Sequence, residues 1–394
     1  MVVLLAAWPP AASAWPPGGK AALEVTPAYP QGQPAPPRIT ADAAILMDLD
    51  TGAVFYARNA DEELPMASTT KIMTALLVLD SLDLDEKVKV PATAIGVPGS
   101  NAGLRRGETL TVRQLLYALL VASGNDAAVT LALATKGSID AFVGAMNDKA
   151  KELALLHTHF VNSSGLHHEQ HYSSARDLAR LARVAMADPV FRQIVATKEY
   201  DLGGGRLLKT SNALLEAVPW INGIKTGSTP YADYCLVASG TKDGLTLISV
   251  ILGAADDETR SAETLALLEY GFSLCPLTSV VDRGAIVAEL PVPDPLERRV
   301  RLVTDAPFTR RALGPEVIKA TVVLDGEIRL PVQVGQPLGE LRFKQGELDL
   351  GAVRLIAAQS VEKADIPMIL AYWRSRWPPG LSLERWEGVR PRSR

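Results

Sequence analysis

The sequence predicts an α+β fold of about 240 residues, followed by a small all-β domain and an amphipathic C-terminal helix. Three observations carry this. Strand patterns lie at both ends of residues 39–282 with a run of helical patterns between them, the mark of a sheet closed from distant segments. After about residue 283 the texture turns to short β-rich runs. Near the end, Ile366, Ile369, Leu370, Trp373 and Trp377 recur at helical spacing. The chain has 394 residues, 47% of them hydrophobic, enough for a substantial core. A formal net charge of −4 leaves no basic footprint for nucleic acid. Cys235 and Cys275 stand in apolar surroundings and read as buried thiols, not as a bridge.

In chain order, residues 1–14 carry an apolar run, Val2 to Trp8, and a small-residue end, Ala12-Ser13-Ala14. This has the form of a secretory signal without its basic start. Residues 15–38 are rich in Pro, Gly and Gln and are expected to be a linker without fixed structure. Ala43–Asp48 and Ala53–Ala57 alternate around Asp50-Thr51-Gly52, a hairpin signal. Ile72 to Leu79 is apolar almost all round and predicts a buried helix. Thr111-Val112-Arg113-Gln114 is a capping box for a helix through Leu120. Ser123-Gly124-Asn125 ends it, and another helix opens at Asp126. Phe142, Ala145 and Met146 mark a further helix, and Ser174 caps one with Leu178, Leu181 and Val184 inward. Strand character returns at Ile224–Thr226, Cys235–Ser239 and Leu245–Leu252, before a helix over about 259–272. In the small domain, residues 283–362, the β-rich runs are 285–290, 299–303, 317–324 and 327–332, with Asp325-Gly326 as a hairpin turn. Residues 363–394 form the tail. Its apolar face and tryptophans suit a membrane interface, with Arg374 and Arg376 on the other side. Pro378-Pro379 stop the helix, and Arg385, Arg390, Arg392 and Arg394 follow for anionic lipid. The helix is too short to span a bilayer.

Three residues after Ser68, Lys71 shares its helical face. An ammonium at the head of a core helix is costly unless paired or neutral. A neutral amine beside a hydroxyl is a base beside a nucleophile. Taken singly, S-x-x-K is an N-cap serine with a snorkelling lysine, and Ser123-Gly124-Asn125 is a turn between helices. Lys225-Thr226-Gly227 alone is a strand end at a bend. Their occurrence together in this order is what points to chemistry. The cluster His167-His168-Glu169-Gln170-His171 lacks H-E-x-x-H spacing and reads as a polar loop.

The ordered set Ser68-Thr69-Thr70-Lys71, Ser123-Gly124-Asn125 and Lys225-Thr226-Gly227 resembles the motifs of penicillin-recognising serine acyltransferases. With S-G-N as second member, it resembles the D-alanyl-D-alanine carboxypeptidase family, the low-molecular-mass penicillin-binding proteins. Gly223-Ile224-Lys225-Thr226-Gly227 with Leu236-Val237-Ala238-Ser239, and the run His171 to Ala179, are similar to family sequence too. The resemblance implies a penicillin-binding-protein/β-lactamase-like transpeptidase domain. It also implies removal of the terminal D-alanine from peptidoglycan pentapeptide stems through a Ser68 acyl-enzyme.

In that scheme Lys71 takes the serine proton, its pKa lowered by desolvation and by Lys225. Ser123 passes a proton to the departing D-alanine. Asn125 orients Lys71 and meets the substrate amide. Lys225 and Thr226 bind the terminal carboxylate, and Gly227 lets the peptide lie close. The N–H groups of Ser68 and Ser228 make the oxyanion hole, and Arg260 supports carboxylate binding. No metal or cofactor is implied. β-Lactams are expected to acylate Ser68, and the site of action is the outer face of the cytoplasmic membrane. Two other readings use the same scaffold: a β-lactamase-like hydrolase, for which no Glu-x-x-x-Asn motif lies between Asn125 and Lys225, and a catalytically idle wall-binding protein.

Overall fold

The structure, a computed structural model, describes the strand Ala22–Val25 and residues 34–275, 277–311 and 317–376. The chain divides into two compact units, Ala28–Leu277 and a second built on Thr278–Arg394.

The larger unit is built on a five-stranded antiparallel sheet. Its strands are β1 (Ala43–Asp48), β2 (Val54–Arg58), β3 (Ile221–Thr229), β4 (Asp233–Lys242) and β5 (Leu245–Ala254), in the order β2-β1-β5-β4-β3. β1 pairs with β5 in the register Ile45↔Val250, so the first strand is completed by the last. Both strands are near-continuous apolar runs, as strands covered on two faces must be. α5 (Ala175–Ala185) and α6 (Asp257–Leu274) pack on the sheet. α1 (Lys71–Ser81), α2 (Val112–Leu120), α3 (Asn125–Lys136) and α4 (Ile139–Glu152) make the helical cluster, with α1 at its centre.

Ile72 to Val78 are all buried, which explains the apolar circumference of α1. α2 starts at the reciprocal cap read from its sequence: Thr111 N–H donates to Gln114 Oε1 at 2.9 Å, and Gln114 N–H donates to Thr111 Oγ1 at 3.2 Å. β3 forms the sheet edge and leans on the single 3₁₀ turn Ala67–Thr70 that precedes α1. Cys235 and Cys275 are both buried and are not bridged to each other.

The smaller unit is a six-stranded antiparallel sheet. Its order is Ala22–Val25, Ile318–Leu324, Pro337–Gln345, Leu348–Ala357, Arg299–Thr304, Ile286–Pro291. Two sequence expectations are corrected here. Ala22–Val25 lies within the stretch expected to be an unstructured linker, yet it pairs with Ile318–Thr321. An open sheet edge recruits main-chain hydrogen bonds from a strand of almost any composition. Residues 327–330 are not a strand; the partner of Ile318–Leu324 is Pro337–Gln345. Pro331 has no N–H to give a ladder, and only a single bridge, Val332 to Val361, survives nearby.

The C-terminal helix Ile366–Ser375 is capped by Asp365, which accepts from Met368 N–H at 2.8 Å. Tyr372 Oη and Arg376 Nη1 both donate to Glu297 Oε2, at 2.9 and 3.0 Å. Ile366, Leu370 and Trp373 remain exposed. Trp377, Pro378, Pro379 and the arginines beyond lie outside the described residues, as does the expected signal at 1–14. Among the described residues no single helix is long and apolar enough to cross a membrane.

Candidate active site

Ser68 sits inside the 3₁₀ turn Ala67–Thr70, not at a helix cap; neither Met66 nor Thr70 caps with its side chain. The turn carries Ala67 at φ +48 and is held by Thr69 Oγ1 donating to Met66 O and Thr70 Oγ1 donating to Ala67 O, at 2.7 and 2.8 Å. Lys71 opens α1 with no exposed surface. Its Nζ lies 2.8 Å from Ser68 Oγ and 2.7 Å from Ser164 O. Burial, and then the charge of Lys225, hold the Lys71 amine well below its ordinary pKa, against an opposing pull from Asp126.

Ser123 falls between α2 and α3 with φ +57. Asn125 Nδ2 donates to Pro98 O at 2.6 Å, and Asn125 Oδ1 is a buried acceptor with no partner among the described residues. The carbonyl that steadies Lys71 therefore belongs to Ser164, not to Asn125. Asp126 fixes this corner: its carboxylate accepts from Ala102 N–H and Leu104 N–H, both at 3.0 Å.

On β3, Lys225 is buried and donates to Thr226 O at 2.9 Å. Desolvation, with Arg260 nearby, pushes its pKa down to about 7. Thr226 Oγ1 is 2.5 Å from Ser211 Oγ. A Cβ on Gly227 would come within 2.9 Å of Ser68 N and 3.1 Å of Met66 O. The missing side chain thus admits the protein's own nucleophile turn, a closer reason than the substrate approach expected from sequence. Ser228 follows, exposed and opposite Tyr234 on β4. Arg260, from the first turns of α6, is paired with Asp257 and donates to Cys235 O at 3.4 Å; its Nε is buried with no partner among the described residues.

Residues missed from sequence complete the site. Asn162 Oδ1 accepts from Ser164 N–H and Gly165 N–H at 3.1 and 2.7 Å, and Asn162 Nδ2 donates to Leu166 O at 2.8 Å. This folds the loop that offers Ser164 O to Lys71. Gly165, at φ +90, also presses on the nucleophile turn: its Cβ would be 2.8 Å from Ser68 N. The Asn162-x-x-Gly165 spacing is a turn signature that was there to read. The polar loop expected over 167–171 is only partly one, because His171 is 2% exposed and faces Thr70. Among the described residues no three His, Cys, Asp or Glu side chains are grouped as a metal site.

A serine facing a buried amine whose pKa is held low, beside the edge strand of an antiparallel sheet, has the makings of a serine acyltransferase. Comparisons with known proteins narrow the class. The family described as D-alanyl-D-alanine carboxypeptidase, peptidase S11, matches residues 31–256, and the penicillin-binding protein 5 C-terminal domain matches 277–363. D-alanyl-D-alanine carboxypeptidase DacF of Bacillus subtilis is 34% identical over 86% of this chain and 90% of its own length. DacA of Escherichia coli K12 is 31% identical over 84% and 86%. The crystal structure of the Streptomyces K15 DD-transpeptidase superposes with a TM-score of 0.59 at 36% identity, covering 61% of this chain and all of that one. The chain belongs to the D-alanyl-D-alanine carboxypeptidase family.

Proposed function

We propose that this chain is a serine-type D-Ala-D-Ala carboxypeptidase that trims the terminal D-alanine from peptidoglycan pentapeptide stems. The observation that carries the reading is the 2.8 Å approach of the buried Lys71 amine to Ser68 Oγ. A neutral amine has a lone pair to accept the serine proton while donating its own N–H to Ser164 O. Ser68 Oγ then bonds to the carbonyl carbon of the penultimate D-alanine. The amide C–N bond breaks, and the proton held by Lys71 passes through Ser123 to the departing D-alanine nitrogen. Water attacks the ester in the second half, and the serine recovers its proton.

The terminal carboxylate is met by Lys225 and Thr226, with Arg260 behind them lending positive charge. Binding an anion favours the protonated form of Lys225, whose pKa near 7 leaves it responsive. The substrate backbone extends the sheet edge at β3, and the unpartnered Asn125 Oδ1 accepts its amide N–H. Ser68 N–H and Ser228 N–H stabilise the oxyanion. β-Lactams enter the same cleft and acylate Ser68.

We place its action outside the cytoplasm, on the cell wall, as for the family. We assign the exposed face Ile366, Leu370 and Trp373 to a membrane interface, as peripheral attachment.

Incubation with diacetyl-Lys-D-Ala-D-Ala is expected to release D-alanine, and fluorescent penicillin is expected to label wild type but not Ser68→Ala. Equal labelling of the two proteins, or labelling of neither, would refute the assignment of Ser68.

A further inference from the structure

The rings of His167 and Tyr231 stack face to face, with centroids 3.8 Å apart and planes 8° from parallel. No step above uses them. Both are exposed, Tyr231 with 66% of its surface open.

Neither ring hangs on a loose loop. Leu166, the residue before His167, is tied by Asn162 Nδ2, and Gly165 by Asn162 Oδ1. Thr229 Oγ1 accepts from Ala232 N–H at 3.0 Å, and Thr229 O accepts from the same N–H at 3.2 Å, closing the turn that displays Tyr231. The two segments start from one place. Gly165 and Gly227 both approach Ser68 N, with their would-be Cβ atoms 2.8 and 2.9 Å from it. Two residues beyond Gly165 and four beyond Gly227, the side chains rejoin in the stack. The stack therefore joins the two segments that lean on the nucleophile turn.

The direction of β3 relates the stack to a bound peptide. Its residues pass in order from Lys225 and Thr226, through Gly227 at Ser68, to the turn at Thr229–Ala232. A peptide with its carboxylate at Lys225 and its scissile carbonyl at Ser68 continues toward that turn, at about 3.3 Å per residue. The residue preceding D-Ala-D-Ala then lies beside the stack.

We propose that the His167–Tyr231 stack is the specificity wall for that residue and selects a long, unbranched side chain such as that of lysine. This rests on the carboxypeptidase reading above. Methylenes lie flat across the two rings while the polar end stays in water. A methyl group covers neither ring. His167 and Tyr231 are positioning residues, with no part in bond making.

The test compares acetyl-Lys-D-Ala-D-Ala with acetyl-Ala-D-Ala-D-Ala on wild type, Tyr231→Ala, Tyr231→Phe and His167→Ala. Wild type is expected to prefer the lysine peptide. Tyr231→Ala and His167→Ala are each expected to lose about five- to tenfold in kcat/KM on it, mostly through KM, as for an aromatic contact. The alanine peptide should change by less than about twofold, and Tyr231→Phe should behave as wild type. Melting temperatures unchanged from wild type in all variants report that the fold is intact. Equal loss on both peptides, no loss on either, or no preference in wild type would overturn the wall. If wild type released D-alanine from neither peptide, the carboxypeptidase reading would itself fall, and the wall with it.

Discussion

His171 Nε2 lies 2.8 Å from Thr70 Oγ1, directly behind the turn that carries Ser68. His171 Nδ1 accepts from Val161 N–H at 2.9 Å, so the proton of the neutral ring is on Nε2 and is donated to Thr70. Thr70 Oγ1 in turn donates to Ala67 O. The nucleophile turn is thus braced by a neutral histidine.

Burial, then the neighbouring histidines His159, His168 and His167, push the His171 pKa down to about 3. An unfolded histidine titrates near 6.5, so below that pH the unfolded chain takes up a proton that the fold refuses. Stability should be constant in this respect above about pH 6.5 and should fall between about 6.5 and 3, by up to about 1.4 kcal/mol per pH unit. His171→Asn should lower the melting temperature at pH 7.5 and flatten that acid limb. Parallel acid limbs in both proteins would contradict the brace.

Lys71 must be neutral to accept a proton and Lys225 must be charged to hold a carboxylate. The free-enzyme kcat/KM on a D-Ala-D-Ala peptide should therefore be bell-shaped. Its acid limb follows Lys71, whose pKa is held low by burial and then by Lys225, and its alkaline limb follows Lys225 at about 7. A profile still rising at pH 9 would contradict the part given to Lys225.

Gly227→Ala places a methyl group 2.9 Å from Ser68 N, against backbone that cannot swing aside. Overpacking of this kind costs about 1–3 kcal/mol, and a shift of about 1 Å at the nucleophile costs about 100-fold in rate. Slow penicillin acylation with a modest drop in melting temperature is the expected pair of results. A wild-type acylation rate would show that β3 does not constrain the turn.

Removal of residues from 364 onward should release the protein from anionic vesicles while leaving D-alanine release from soluble peptides within about twofold, since no catalytic contact is lost. Unchanged vesicle binding would place attachment elsewhere.

How much of this was legible depends on the range of the interaction. Lys71 announced itself because a charge heading an apolar helix needs a reason, and local geometry alone brings it to Ser68. The capping box at Thr111 and Gln114 is likewise a three-residue affair. Ser164 as the partner of Lys71 was not visible, since a backbone carbonyl 93 residues away has no residue-type signature. His171 was misread because burial comes from the fold, and its polar neighbours disguised it. Pro337–Gln345 and Leu348–Ala357 were legible in principle: Leu341-Arg342-Phe343-Lys344 and Val353-Arg354-Leu355 alternate buried with exposed, and Gly346, at φ +57, supplies the turn between them. The strand at Ala22–Val25 is a matter of main-chain pairing, which composition does not record.

The pairing of β1 with β5 also bears on biosynthesis. The ribosome emits Ala43–Asp48 about 200 residues before its partner, roughly ten seconds or more at typical rates. Throughout that interval one edge of a largely apolar strand has no partner, since β2 pairs only with the other edge. A pocket built on this sheet cannot form until the strand at 245–254 has emerged.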